Sequence, residues 1–254
     1  MEKEFENLIK KANSIHTLFG DCKEFQDLQN QVISGQNPEL IRLFAERVEG
    51  ANVEKLQEAL QETRNLKNLY EFAKNVKGAD VAKICNVVAQ DKFPIFDYLT
   101  RFAQLPGADI NALAGAVIRM GNLDYIKTFS QFVDKEDVDT LYKICEAVVY
   151  HAIKDNDAAV AYDFRKRVPQ VYFRILVKAI IQIGDPRYLY LAAKLPEIEF
   201  VADLKAIQDA IINTADFEYI EKFAEEVEWA DKIYIYKNLA KLYHDQLEGD
   251  KERI

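Results

Sequence analysis

Phe72-Ala73-Lys74-Asn75-Val76-Lys77-Gly78-Ala79-Asp80 joins an aromatic-alanine pair to a small-residue turn, and the chain repeats this phrase with changes. Phe44-Ala45 precedes Gly50-Ala51-Asn52, Phe102-Ala103 precedes Gly107-Ala108-Asp109, and Phe223-Ala224 precedes Trp229-Ala230-Asp231. The turn alanines Ala51, Ala79 and Ala108 lie 28 and 29 residues apart. A period in the range of about 20–50 residues marks a stacked array, in which each unit buries its apolar face against its neighbours.

Between these phrases the apolar residues fall at helical spacing. Leu113, Ala116, Val117 and Met120 share one face of a helix that stops at Gly121-Asn122, where glycine supplies the left-handed conformation of a helix C-terminus. Leu123, Ile126, Phe129 and Phe132 then start a second helix. Equivalent breaks are Gly35-Gln36-Asn37-Pro38, Thr63-Arg64-Asn65, Asp91-Lys92-Phe93-Pro94, Asp155-Asn156-Asp157, Gly184-Asp185-Pro186 and Ala215-Asp216. Pro38, Pro94 and Pro186 are each expected at the start of a second helix, where a missing N–H is tolerated.

The predicted fold is all-α: one solenoid domain over 1–254, with about seven helix-pair repeats across 24–233 and helical caps at 1–23 and 234–254. The repeats are expected at about 24–55, 56–83, 84–111, 112–140, 141–173, 174–203 and 204–233. The fifth has a longer first helix, Leu141 through Ile153, and carries Tyr162-Asp163-Phe164-Arg165-Lys166-Arg167 in place of an aromatic-alanine pair.

Gly107-Ala108-Asp109-Ile110-Asn111-Ala112-Leu113, with Ala116, Gly121-Asn122-Leu123-Asp124-Tyr125-Ile126-Lys127 and Phe129, resembles an ankyrin repeat. Weaker echoes cover 24–111 and 174–233. The chain departs from that family in lacking the Thr-Pro-Leu-His motif in every repeat, and most of its repeats are several residues short. The resemblance implies an ankyrin-like array that recognises a protein on a concave face; a plain helix-pair solenoid is the near alternative.

With 49% hydrophobic and 30% charged residues among 254, and only 9 Gly and 6 Pro, the composition is that of an ordered helical protein. A net charge of −9 repels polyanions, so neither direct nucleic-acid binding nor attachment to an anionic membrane is expected. The acidic opening Met1-Glu2-Lys3-Glu4-Phe5 does not read as a signal peptide, and no run approaches the roughly 18 apolar residues of a membrane span. A cytoplasmic protein is expected. Cys22, Cys85 and Cys145 are odd in number and far apart, which points to buried thiols rather than disulfides.

The residues offer no catalytic signature. His16, His151 and His244 are scattered, and neither a glycine-rich phosphate loop nor a nucleophile with a local base is present. No metal, cofactor or catalytic residue is therefore assigned. Two surface groups are candidates for a partner. Arg165, Lys166, Arg167 and Arg174, with Lys178, form a basic cluster that either grips an acidic or phosphorylated segment or balances Asp155, Asp157 and Asp163 on a solvated face. The acidic run Asp216, Glu218, Glu221, Glu225, Glu226, Glu228 and Asp231 surrounds Trp229, with Tyr234 and Tyr236 beyond. It is either a hot spot for a basic protein surface or an exposed helix with Trp229 packed between repeats. Tyr188 and Tyr190 lie two residues apart and so cannot share one core stripe, which places one of them at the surface or at a ridge between repeats. Tyr125 and Tyr219 are expected to be core residues.

The leading expectation for function is a non-catalytic protein-protein interaction module, a scaffold or an inhibitor, including one of viral or phage origin. The alternatives are an acidic mimic of nucleic acid that occupies a DNA- or RNA-binding protein, and an enzyme on a helical-repeat scaffold.

Overall fold

The computed structural model describes residues 2–168, 172–195 and 201–251. Among these residues there are sixteen α-helices and no strand. They are α1 (Glu2–Phe19), α2 (Lys23–Ser34), α3 (Pro38–Arg47), α4 (Val53–Thr63), α5 (Leu66–Asn75), α6 (Val81–Ala89), α7 (Phe96–Ala103) and α8 (Ile110–Met120). There follow α9 (Leu123–Phe129), α10 (Val138–Lys154), α11 (Ala158–Phe164), α12 (Phe173–Ile183), α13 (Pro186–Ala193), α14 (Val201–Asn213), α15 (Phe217–Glu226) and α16 (Lys232–Lys251). The chain divides into two compact units, Met1–Tyr125 and Ile126–Ile254. Within each, substantial packing among the described residues joins helices one or two apart in chain order. No described helix is long and apolar enough to cross a membrane.

One register generates the second helix of nearly every pair. An Asn or Asp side chain accepts main-chain N–H groups of the first turn: Asn37 from Leu40 at 3.1 Å, Asn65 from Asn68 at 3.0 Å, Asn122 from Tyr125 at 3.1 Å, Asp157 from Ala159 at 3.0 Å, Asp185 from Tyr188 at 3.2 Å and Asp216 from Tyr219 at 3.2 Å. Each such cap stabilises its helix by about 1 kcal/mol. One helical turn beyond the caps, Ile41, Leu69, Ile126, Ala161, Leu189 and Ile220 are buried. A turn further on, Phe44, Phe72, Phe129, Phe164 and Phe223 are fully buried, and only α13 has a small residue there, Ala192. Burying each phenylalanine contributes roughly 1.5–3 kcal/mol. The repeated aromatic of the sequence is therefore the core knob of the second helix, and the alanine after it is small enough for a neighbouring helix to approach.

First helices are tied to the following turn by a side-chain amide, buried at Gln29, Gln57 and Gln208 and half-buried at Asn86. Gln29 Oε1 accepts the N–H of Asn52 at 2.8 Å. Gln57 Oε1 accepts the N–H of Asp80 at 2.8 Å while its Nε2 donates to the Asp80 carbonyl at 3.2 Å. Asn86 Nδ2, one carbon shorter, reaches the Asp109 carboxylate at 2.9 Å, and Gln208 Oε1 accepts the N–H of Asp231 at 2.9 Å. The turn residue in turn caps the next helix, as Asn52 does for Lys55 and Asp80 for Lys83. One buried side chain thus fixes both the end of one pair and the start of the next, because an unpaired buried amide would cost 1–3 kcal/mol or so.

The helix at the N-terminus docks by close approach. His16 stacks at a tilt on Phe25, ring centroids 5.1 Å apart, and lies over Gly50, where a Cβ would sit 2.0 Å from its Nε2. Asn13 closes the end of α3, donating to the Arg47 carbonyl and accepting from Glu49 N–H, both at 3.0 Å.

The observed breaks fall where the sequence places them, but the expected repeat limits do not. A boundary at 56 cuts α4 and one at 141 cuts α10, because each helix starts directly after its capping residue, Asn52 or Asp137, and so before the expected limit. The longer first helix of the fifth pair is α10, and the helix expected from 234 begins at Lys232. Pro38 and Pro186 are first residues of helices; Pro94 lies before Ile95, the residue that precedes α7, in a longer connection. Cys85 and Cys145 are buried free thiols, pushed up to about 11 and about 12 by burial, and Cys22 is half-buried and free.

Candidate functional site

The two most exposed large apolar side chains among the described residues of the C-terminal unit lie at the α15–α16 turn and the start of α16. After α15 ends, Val227 turns inward and is buried, and Ala230 N–H donates to its carbonyl at 3.2 Å. Asp231 is held from two sides: its N–H is taken by Gln208, and its carboxylate accepts Tyr234 N–H at 3.0 Å. Ile235 and Leu239 then anchor α16 in the core. On this turn Trp229 is 76% exposed, and in the first turns of α16 that follow Ile233 is 85% exposed, with Tyr234 and Tyr236 also at the surface. Glu225, Glu228 and Asp231 surround them and are exposed. An aromatic anchor on the turn and an aliphatic one at the helix start, rimmed by carboxylates, have the composition of a binding hot spot. Trp229 is therefore not packed between helices but stands at the surface.

Tyr188 and Tyr190 are both half-buried, because each serves a different neighbour. Tyr188 meets Tyr162 of α11 at 5.6 Å between centroids, and Tyr190 meets Tyr219 of α15 at 6.1 Å. Cations cover these rings: Arg165 over Tyr162 at 4.5 Å, Arg187 over Tyr188 at 5.6 Å, Lys194 over Tyr190 at 5.1 Å and Lys222 over Tyr219 at 5.2 Å. The Tyr190 hydroxyl donates to Glu226, whose carboxylate also takes Lys194 Nζ at 2.7 Å. The Lys194 hydrogen bond, then that of Tyr190, holds the Glu226 carboxyl below its ordinary value. Glu218 pairs with Lys222 at 2.6 Å. The Tyr162–Tyr188 and Tyr190–Tyr219 contacts and the Glu226 hydrogen bonds join neighbouring helices to one another, whereas Glu218 and Lys222 pair within α15.

The basic cluster does not converge. Arg165 folds onto Tyr162, donating to its hydroxyl at 3.2 Å; Lys166 faces Asp163 at 3.6 Å; Arg174 pairs with Asp203 of α14 at 3.0 Å; Lys178 is exposed. The side chain of Arg167 lies outside the described part. Tyr125, expected in the core, is instead 36% exposed and stacks on Phe96 with centroids 4.1 Å apart, because its place in the capping register is the outer side of the helix.

Two features escape a motif search. In the N-terminal unit, Ile95 occupies the position before α7 where other second helices have Asn or Asp, and the connection from α6 is longer. It exposes Phe93 to 76% and leaves Ile95 half exposed. The missing capping residue was the available signal. In the C-terminal unit, a groove of about 340 Å³ lies between α12 and α14, lined by Ile181, Gly184, Ala206, Asp209, Ala210, Asn213 and Thr214. Its small residues are spread over two helices and leave no local pattern. Among the described residues, no three of His, Cys, Asp or Glu are grouped as a metal site requires.

No protein family, characterised protein or solved structure matches the chain.

Proposed function

We propose that this chain is a non-catalytic protein-binding module. In this reading its helix pairs stack within each unit as an ankyrin-like solenoid without the Thr-Pro-Leu-His turn, and the C-terminal unit takes its partner at the α15–α16 turn. The observation that carries it is the large exposure of Trp229, on a turn that Gln208 ties at Asp231, and of Ile233, at the start of the helix that Asp231 caps. A pre-ordered anchor loses little conformational freedom on association, so more of its contact energy appears as affinity. The recurrent capping register and the buried amide ties support the stacking. The free thiols, two of them buried, suit the reducing cytoplasm. The module acts as a scaffold or as an inhibitor of the protein it holds. Mimicry of nucleic acid is the weaker alternative, because Glu218 and Glu226 spend their charge on Lys222 and Lys194 instead of standing in a bare row.

The test is affinity capture with cross-linking from the native cell, using the wild type, Trp229→Ala with Ile233→Asp, and Arg165→Glu with Arg167→Glu. The specific partner is expected to be lost in the first double variant and kept in the second, with unchanged circular dichroism in both. Retention of the partner by Trp229→Ala with Ile233→Asp overturns the reading.

A further inference from the structure

We propose that the groove between α12 and α14 receives an arginine side chain of the bound partner. This rests on the protein-binding reading and narrows it to a partner whose contact segment carries a guanidinium.

Shape admits such a side chain. Gly184, Ala206 and Ala210 leave the groove open down to the helix backbones, and Ile181 offers an apolar wall to a methylene stem. Charge selects it. Asp209 lines the groove, and its Oδ1 is shut off from solvent without a hydrogen-bond partner. That oxygen is itself closed off, but the half-buried carboxylate sets a negative charge, partly removed from water, at the groove wall, and this attracts a cation. The carboxylate also borders the exposed patch of the α15–α16 turn: its charge, and a hydrogen bond to it, push the Tyr234 phenol up.

The backbone adds a second and independent source of negative potential. The groove lies at the C-terminal ends of two helices, with Gly184 as the C-cap of α12 and Asn213 as the last residue of α14. A helix C-terminus is the negative end of the macrodipole, which a basic side chain in the last turn commonly offsets. Neither α12 nor α14 has one. A guanidinium suits this arrangement better than an ammonium, because its planar fork engages a carboxylate and still has donors for carbonyls.

The probe is the blocked tripeptide acetyl-Ala-Arg-Ala-amide, titrated into the full chain labelled with nitrogen-15, beside the same peptide with citrulline or lysine in place of arginine. The amide resonances of Gly184, Ala206, Ala210 and Asn213 are expected to shift with the arginine peptide. Binding is expected to weaken by about tenfold or more with citrulline, with Asp209→Asn and with Ala206→Leu, which fills the groove. Shifts absent from these amides, or an equal response to citrulline or lysine, overturn the assignment. The result separates from that of the docking reading. If Trp229→Ala with Ile233→Asp keeps the partner while the arginine peptide still fills the groove, the docking reading falls and the receptor stands; release of the partner with no peptide shifts is the reverse.

Discussion

Gln208 and Asp231, 23 residues apart, form a buried tie in which the amide oxygen of the first takes the main-chain N–H of the second at 2.9 Å. Gln29 with Asn52 and Gln57 with Asp80 repeat it at 2.8 Å. Gln208→Leu keeps the volume but leaves the Asp231 N–H without its acceptor. It is expected to cost about 1–3 kcal/mol in urea unfolding. Hydrogen exchange at the Asp231 amide should accelerate more than exchange in α10, and an unchanged rate at Asp231 would show that the tie does not hold the turn.

Phe223 and Ala192 occupy the same register position in consecutive second helices, and both are fully buried. Phe223→Ala is expected to destabilise by about 3–5 kcal/mol through lost burial and a residual cavity. Ala192→Phe, which restores the phrase used elsewhere, should also destabilise, by about 1–3 kcal/mol, because the space around residue 192 is already filled. A stabilising Ala192→Phe in thermal unfolding would contradict the packing described for α13.

These positions also show how far the sequence reaches. The phenylalanine phrase and the polar breaks are legible because a helix needs a cap, a periodic apolar face and a stop, each written within about ten residues. Tyr125 was misplaced because an aromatic beside an aliphatic residue reads as core, whereas the capping residue Asn122 sets the register that turns it outward. Neither the tie from Gln208 to Asp231 nor the groove at Asp209 could be read, since each joins residues from separate helices. Trp229 was singled out, but its exposure depends on the buried Val227 taking the inward place on the turn.

Lys194 and Glu226 lie on the surface, and their pairing predicts a pH profile. The Glu226 carboxyl is held below its ordinary 4.5, so its contribution is complete above that pH and disappears as pH falls through the depressed value. Lys194 is raised above its ordinary 10.5, first by Glu226 and then by Tyr190, so its contribution is complete below 10.5 and is lost as pH rises through the raised value. Glu226→Gln should lower the urea midpoint slightly near neutral pH, and the difference from wild type should vanish in acid, once the pH has fallen through the depressed value. Added salt should shrink it, as expected for an exposed pair. A difference that persists in strong acid would assign the effect to packing.

Gly184 and Ala215 close the first helices of consecutive pairs with the same left-handed backbone, φ 74° and φ 54°. Glycine enters this region freely, whereas a Cβ there costs about 1 kcal/mol. Space does not limit Gly184, because a Cβ built on it meets nothing within 4 Å, so Gly184→Ala isolates the backbone penalty. Ala215 is exposed and already bears that penalty, so Ala215→Gly relieves it, partly offset by the greater freedom glycine gives the unfolded chain. The expected outcome is a reciprocal pair, Gly184→Ala destabilising by about 1 kcal/mol and Ala215→Gly stabilising by somewhat less. Thermal and urea unfolding of both variants would check it. A loss of stability in Ala215→Gly would mean that the turn is held by its capping bonds, Thr214 hydroxyl to the Ile211 carbonyl at 2.7 Å and Tyr219 N–H to the Asp216 carboxylate at 3.2 Å, tightly enough that the strain at residue 215 is already absorbed.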